Sequence, residues 1–205
     1  MSLFITFEGG EGSGKSFQSR ALYRRLSKLA VPVVLTHEPG ITPLGRKITR
    51  WLKWDDGMGV SPTAELMLFN ASRAQLIEEV IRPELENGKM VICDRYTDST
   101  IAYQSYGRGL NPDMVKAVNE AAAQGVVPDL TILLDIAAGE GFRRKQGQKP
   151  DRFEREAAGF HHRVRDGYLK LAEKEPERWL VIDAHQSKER IEQIIWEKVS
   201  SLLKV

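Results

Sequence analysis

Gly9-Gly10-Glu11-Gly12-Ser13-Gly14-Lys15-Ser16 fits the pattern Gly-x-x-x-x-Gly-Lys-Ser/Thr, a loop that wraps phosphate groups. Its flanks agree with it. Leu3-Phe4-Ile5-Thr6-Phe7 reads as a short buried strand, and Phe17 to Ala30 reads as a helix. Glycines let the backbone curl and turn its N–H groups inward, because no Cβ meets the phosphate. The helix start adds free donors and the positive end of its dipole. In this pattern Lys15 reaches the β- and γ-phosphates and the Ser16 hydroxyl holds Mg2+. The plain alternative is a glycine-rich turn with a chance lysine; strand, loop and helix falling in register weigh against it.

Outward from this loop, apolar runs of strand length recur between helical stretches. They are Val31 to Leu35, Met90 to Cys93, Leu130 to Leu134 and Trp179 to Ile182. They are continuous rather than alternating, as in strands buried on both faces of a parallel sheet. Helices are expected from Pro62, capped by Ser61, to about Asn87-Gly88, and over Pro112 to Gln124, Phe153 to Lys174 and Ser187 to Leu203. This alternation implies an α/β fold with a doubly wound, five-stranded parallel sheet. Ligands bind beyond the carboxyl ends of such strands. The residues delivered there are the phosphate loop, His37-Glu38-Pro39-Gly40, Asp94-Arg95-Tyr96, Asp135 and Asp183-Ala184, all expected at one crevice.

Bulk properties narrow the classes. The 205 residues fit a single domain, 1–205, with a small appendage at most. A net charge of +2 gives no argument for a nucleic-acid or membrane surface. No stretch approaches the roughly 20 apolar residues that span a bilayer, and the N-terminus is not signal-like. Cys93 is the only cysteine, which excludes an intrachain disulfide and suits the reducing cytoplasm. It lies in an apolar run and reads as a small buried hydrophobe.

A phosphate loop names a donor nucleotide, not a reaction, so the acceptor must be read elsewhere. Asp94 ends a strand as a carboxylate that holds a metal, directly or through water; capping the next turn is its ordinary alternative. Arg95 beside it favours phosphate handling, since a guanidinium fork binds phosphate oxygens bidentately. Phe69 and Arg73 share a helix face. From spacing alone, a core phenylalanine beside a solvated arginine is the better reading of that pair.

Several of these segments together resemble the thymidylate kinases. They are Phe7 to Ser16, Glu38-Pro39-Gly40, Phe69-x-x-x-Arg73, Asp94-Arg95-Tyr96-Thr97-Asp98-Ser99-Thr100-Ile101-Ala102-Tyr103-Gln104, Pro128-Asp129-Leu130 with Asp135, Asp151-Arg152-Phe153-Glu154 and Asp183-Ala184. They stand in the family's order and cover nearly the whole chain. The resemblance implies a P-loop NTPase fold of the nucleoside monophosphate kinase type. It also implies transfer of the ATP γ-phosphoryl group to thymidine 5′-monophosphate in thymidine triphosphate synthesis, with Mg2+ and a homodimer. Carried over, Phe69 stacks on thymine, and Arg73, Thr100 and Gln104 meet its polar edge. Tyr103 lies against the sugar, Glu11 contacts the 3′-hydroxyl and Arg95 binds the acceptor phosphate. Glu38, Pro39 and Ser99 complete that side.

The basic segment Arg143-Arg144-Lys145, with Lys149 and Arg152, resembles the family's mobile lid, here about 139–155. Alone it reads as a solvated charge run. Some members carry an arginine in the phosphate loop where this chain has Gly12, so the lid is expected to supply the catalytic arginine from Arg143, Arg144 or Arg152. Such an arginine is worth ~10³-fold or more in rate. The family commonly has Arg-Glu-Pro-Gly-Gly-Thr where this chain has His37-Glu38-Pro39-Gly40-Ile41-Thr42. His37 reads as structural, and no histidine is assigned to catalysis. Two other readings are a kinase for another nucleoside monophosphate and a nucleotide-binding switch. No guanine-reading Asn-Lys-x-Asp motif supports the switch.

Overall fold

The five apolar runs become five parallel strands in the order β2-β3-β1-β4-β5. They are β1 Phe4–Glu8, β2 Val33–His37, β3 Met90–Asp94, β4 Leu130–Asp135 and β5 Trp179–Asp183. The computed structural model describes residues 2–54, 59–145, 147 and 149–203. All five residues of β1 are buried, as its continuous apolar reading requires. Alternate residues go to opposite faces. Ile5, Phe7, Ile92, Ile132 and Leu134 share one cluster, while Phe4, Val91 and Cys93 pack in another with Leu76, Ile77 and Tyr96.

Helices cover both faces: α1 Lys15–Lys28, α2 Pro43–Trp54, α3 Pro62–Leu76, α4 Arg82–Glu86, α5 Thr97–Thr100, α6 Pro112–Ala123, α7 Ala138–Arg144, α8 Ala158–Lys174 and α9 Lys188–Leu203. π-helical turns at Ile77–Ile81 and Ile101–Gly107 continue α3 and α5. Ser61 caps α3 by accepting from the Ala64 N–H, with Pro62 behind it. Asn111 caps α6 through the Asp113 and Met114 N–H groups, at 2.9 and 3.0 Å.

The structure departs from the sequence reading in places. β2 begins two residues late, because Val31 still closes the turn after α1, its N–H reaching the Leu26 carbonyl at 3.1 Å. The helix expected from Phe153 begins only at Ala158. Asp151 Oδ1 accepts the Phe153 and Glu154 N–H groups at 2.9 and 3.0 Å, which holds a turn there and steers Phe153 into the interior. Helices α2, α5 and α7 were not anticipated. α5 and α7 are short, and α2, although it carries an apolar stripe through Ile48 and Leu52, has Pro43 and Gly45 in its first turn. Asp135 and Asp183 do not reach the expected crevice. Arg165 takes Asp135 with two 2.7 Å bonds, and Asp183 faces His185.

Ile92 is fully buried on β3, next to β1 and β2. Ile92→Ala leaves a cavity, and we expect it to lower stability by about 2–5 kcal/mol in denaturant unfolding. A loss under about 1 kcal/mol contradicts the core assignment.

Candidate active site

The phosphate loop joins β1 to α1. It closes only because Gly9 and Gly12 lack side chains. A Cβ at Gly9, whose φ is +135°, would lie 2.5 Å from the Leu134 carbonyl oxygen. Gly12 is tighter: a Cβ there would lie 1.9 Å from the Gly141 carbonyl oxygen on α7. Reciprocally, a Cβ on Gly141 would lie 2.0 Å from the Glu11 carbonyl oxygen. The start of the basic segment therefore rests backbone to backbone on the tip of the loop. An arginine at position 12 has no room in this arrangement. The first turn of α1 carries no acidic residue, so its positive dipole end stays available to an anion. Lys15 Nζ donates to the Gly10 carbonyl at 2.7 Å and faces Ser13 Oγ at 3.4 Å. Burial, together with Arg95, pulls its pKa down to about 8. The Ser16 hydroxyl donates to Asp94 at the end of β3.

Arg95 follows Asp94 with φ +71°, a left-handed conformation that an arginine rarely adopts. Its N–H is held by the Phe7 carbonyl at 2.9 Å. The guanidinium reaches back to Gly9 O at 3.3 Å and Glu11 at 2.5 Å, and forward to the hydroxyls of Ser99, Tyr103 and Tyr168, each at 3.3 Å. Beneath it Glu8 is fully buried and accepts from the Tyr96 N–H (2.8 Å), Ser99 (2.5 Å) and Tyr168 (2.9 Å). Burial raises the Glu8 pKa to about 7, with Asp98 adding to the effect. Glu11 moves the other way. Although burial opposes it, the cations Arg95, Lys15 and Lys145 hold its carboxyl well below the usual range.

On the far side of Arg95 lies a cavity lined by Glu38, Phe69, Arg73, Thr100, Tyr103, Gln104 and Phe153, with Glu11, Pro39 and Ser99 on its wall. The solvated-arginine reading of Arg73 does not survive. Arg73 is only 2% exposed. Its Nε and Nη2 grip the Glu38 carboxylate at 2.9 and 2.7 Å. Nη1 donates to Asn70 and Asn119, and Nη2 also reaches the Tyr96 carbonyl. Phe69 packs on Phe153 with ring centroids 5.6 Å apart.

Arg143, Arg144 and Arg152 of the basic segment separate. Arg144 lines the donor-side cavity with Lys15 and Ser16, its Nη2 held by the Ala184 carbonyl at 2.9 Å. Arg143 is exposed and pairs with Glu140 at 3.3 Å. Arg152 lies by the acceptor cavity, on Glu65 at 2.5 Å and over the Phe153 ring. Lys145 bridges Glu11 (3.3 Å) and Glu154. His37, read as structural, stands exposed on the donor-side rim with Trp54. The sequence reading assigned no role to Glu8, Lys53, Glu65, Phe153 or Tyr168, and took Lys145 only as part of the basic lid segment. Glu8 and Phe153 lay inside the quoted motifs. Lys53 and Glu65 look like ordinary surface helix charges until α2 and α3 are packed together.

A parallel sheet with a phosphate loop at its first strand end, and a second cavity one arginine away, defines a P-loop NTPase built for two ligands. The chain belongs to the thymidylate kinase family, whose model matches residues 7–195. It is 58% identical over 205 residues to a thymidylate kinase of Dehalococcoides mccartyi, covering 100% of this chain and 99% of that one. It is 48% identical to that of Halothermothrix orenii, covering 98% of each. Its fold matches the crystal structure of thymidylate kinase from Ehrlichia chaffeensis with a TM-score of 0.79, at 35% identity over 97% of this chain and 98% of the other.

Two predictions follow from this geometry. Gly141→Ala must lift α7 off the loop and misplace Arg144, so we expect kcat to fall about 10²-fold. Wild-type kcat in the variant would contradict the contact. Glu8 has a folded pKa of about 7 against an ordinary 4.5, so the folded state binds the proton more tightly. Its stabilising contribution is present below pH 4.5 and lost as pH rises through 7. Over that window, wild type should lose up to about 3 kcal/mol relative to Glu8→Gln in urea unfolding. Parallel pH curves would refute the shift.

Proposed function

We propose that the two cavities are the halves of one phosphoryl-transfer site, with ATP in the phosphate loop and thymidine 5′-monophosphate beyond Arg95. The observation that carries this reading is Arg95 itself, which touches Gly9 and Glu11 on one side and Ser99 and Tyr103 on the other. Arg95 lines both cavities, so an anion bound to it sits where two phosphates meet. An acceptor phosphate oxygen attacks the γ-phosphorus, the bond to the β,γ-bridging oxygen breaks, and ADP leaves. The attacking oxygen is already ionised, so no general base is needed.

The loop N–H groups of Gly9 to Ser16 and Lys15 cradle the donor phosphates. Ser16 and Asp94 form a hydroxyl–carboxylate pair beside Lys15, the oxygen donor set that suits Mg2+. They would hold the ion, which neutralises phosphate charge when bound. Arg95 binds the acceptor phosphate. Phe69 stacks on the base, Arg73 and Thr100 face its edge, and Tyr103 crowds the sugar's 2′ position. Glu11 and Glu38 line the sugar and base sides, with Pro39 and Ser99. Residues 139–155 act as the lid, which excludes water from the phosphoryl group. Of the three candidate arginines, Arg144 is the one on the donor side and meets the reacting phosphate. The protein works in the cytoplasm as a homodimer; Met67 on α3 is 48% exposed beside the buried Leu66 and supports a partner surface there. Among the described residues, no helix is long and apolar enough to cross a membrane.

A coupled ADP-release assay over a panel of nucleoside monophosphates tests the reaction. Activity should require thymidine monophosphate and Mg2+, and preference for another base would move the chain to a different acceptor. Arg144→Ala should cut kcat by roughly 10³-fold, and Arg143→Ala by far less. The reverse order would return the catalytic role to Arg143.

A further inference from the structure

Glu65 is a charged residue only 1% exposed, and no step of the transfer uses it. Both of its carboxylate oxygens are fully engaged. Oε1 accepts from Gln104 Nε2 at 2.9 Å and from Arg108 Nε at 3.1 Å. Oε2 accepts from Arg108 Nη2 at 3.1 Å and from Arg152 Nη2 at 2.5 Å. The two guanidiniums lie over the Phe153 ring, 5.6 and 4.9 Å from its centroid, so the carboxylate is locked from both sides. An ionised carboxylate can only accept hydrogen bonds. Gln104 must therefore turn its NH2 group to Glu65, and its amide orientation is fixed by chemistry. The atom left to a ligand is the carbonyl oxygen Oε1, and Gln104 lines the acceptor cavity together with Thr100 and Arg73.

We infer that Glu65 is a positioning residue for base selectivity, holding the Gln104 amide so that the cavity wall presents a hydrogen-bond acceptor next to an Arg73 whose N–H groups are already taken by Glu38, Asn70, Asn119 and Tyr96. This rests on the proposed acceptor and deepens it. An acceptor there complements the N3 proton of a pyrimidine that carries a carbonyl at C4, as in thymine and uracil. Cytosine carries the reverse pair, an amino group at C4 and a bare N3. Two acceptors, Gln104 Oε1 and cytosine N3, would then face each other, and leaving such buried groups unpaired is what gives a polar site its discrimination. The selectivity comes from a residue on the far side of the glutamine.

The test compares kcat and KM for thymidine, deoxyuridine and deoxycytidine monophosphates in the wild type and in Glu65→Gln, whose amide lets Gln104 turn either way. In Glu65→Gln, KM for thymidine monophosphate should rise about 10- to 100-fold, more than kcat falls, and its preference over deoxycytidine monophosphate should shrink at least about tenfold. If Glu65 merely anchors Arg108 and Arg152, both acceptors weaken together; an unchanged preference ratio overturns the inference while leaving the thymidine reading intact. A wild type that uses deoxycytidine monophosphate equally well overturns both. Should the variant fail to fold, N3-methylthymidine monophosphate serves as a competitor of the wild type. It should bind at least about 100-fold more weakly than thymidine monophosphate, and equal binding overturns the inference.

Discussion

The guanidinium of Arg95 is the contact on which the site depends. It holds the phosphate loop through Gly9 and Glu11 and the acceptor wall through Ser99, Tyr103 and Tyr168. The chain reaches this geometry by a left-handed residue directly after β3, pinned to β1 by the Phe7 carbonyl. A buried Glu8 beneath it fixes Ser99 and Tyr168. The sheet thus sets the position of one cation, and that cation ties the phosphate loop to the wall of the second cavity. A long-range charge in bulk water would not do this; a partly buried guanidinium with fixed partners does.

The segment proposed as the lid is tied to both halves of the same arrangement. At its start, paired glycines at 12 and 141 bring two backbones into contact on the loop tip. Near its end, Asp151 turns the chain so that Phe153 enters the acceptor cavity and Arg152 reaches Glu65. Gly12 therefore has two consequences. It withholds an arginine from the loop, and it makes room for the helix that carries Arg144.

Much of this was legible in the sequence, and what was not has physical reasons. The strands could be read because each is apolar on both faces. The phosphate loop could be read because its chemistry demands fixed spacing. The burial of Arg73 could not be read. Asn70 is its neighbour on the helix, but Glu38, Asn119 and Tyr96 come from distant points in the chain, and only the fold assembles them. Glu65 was hidden for the same reason. The choice among Arg143, Arg144 and Arg152 was equally closed, since adjacent residues on a short helix diverge by about 100°.

The central claim is that Arg95 recognises the acceptor's phosphate. Calorimetry of thymidine and thymidine monophosphate with the wild type and Arg95→Ala tests it most directly. The account predicts that the wild type prefers the monophosphate by about 10²-fold and that Arg95→Ala binds the two within a few-fold of each other, as expected when a charge-assisted contact worth about 1.5–3 kcal/mol is lost. A variant that keeps the wild-type preference would contradict it.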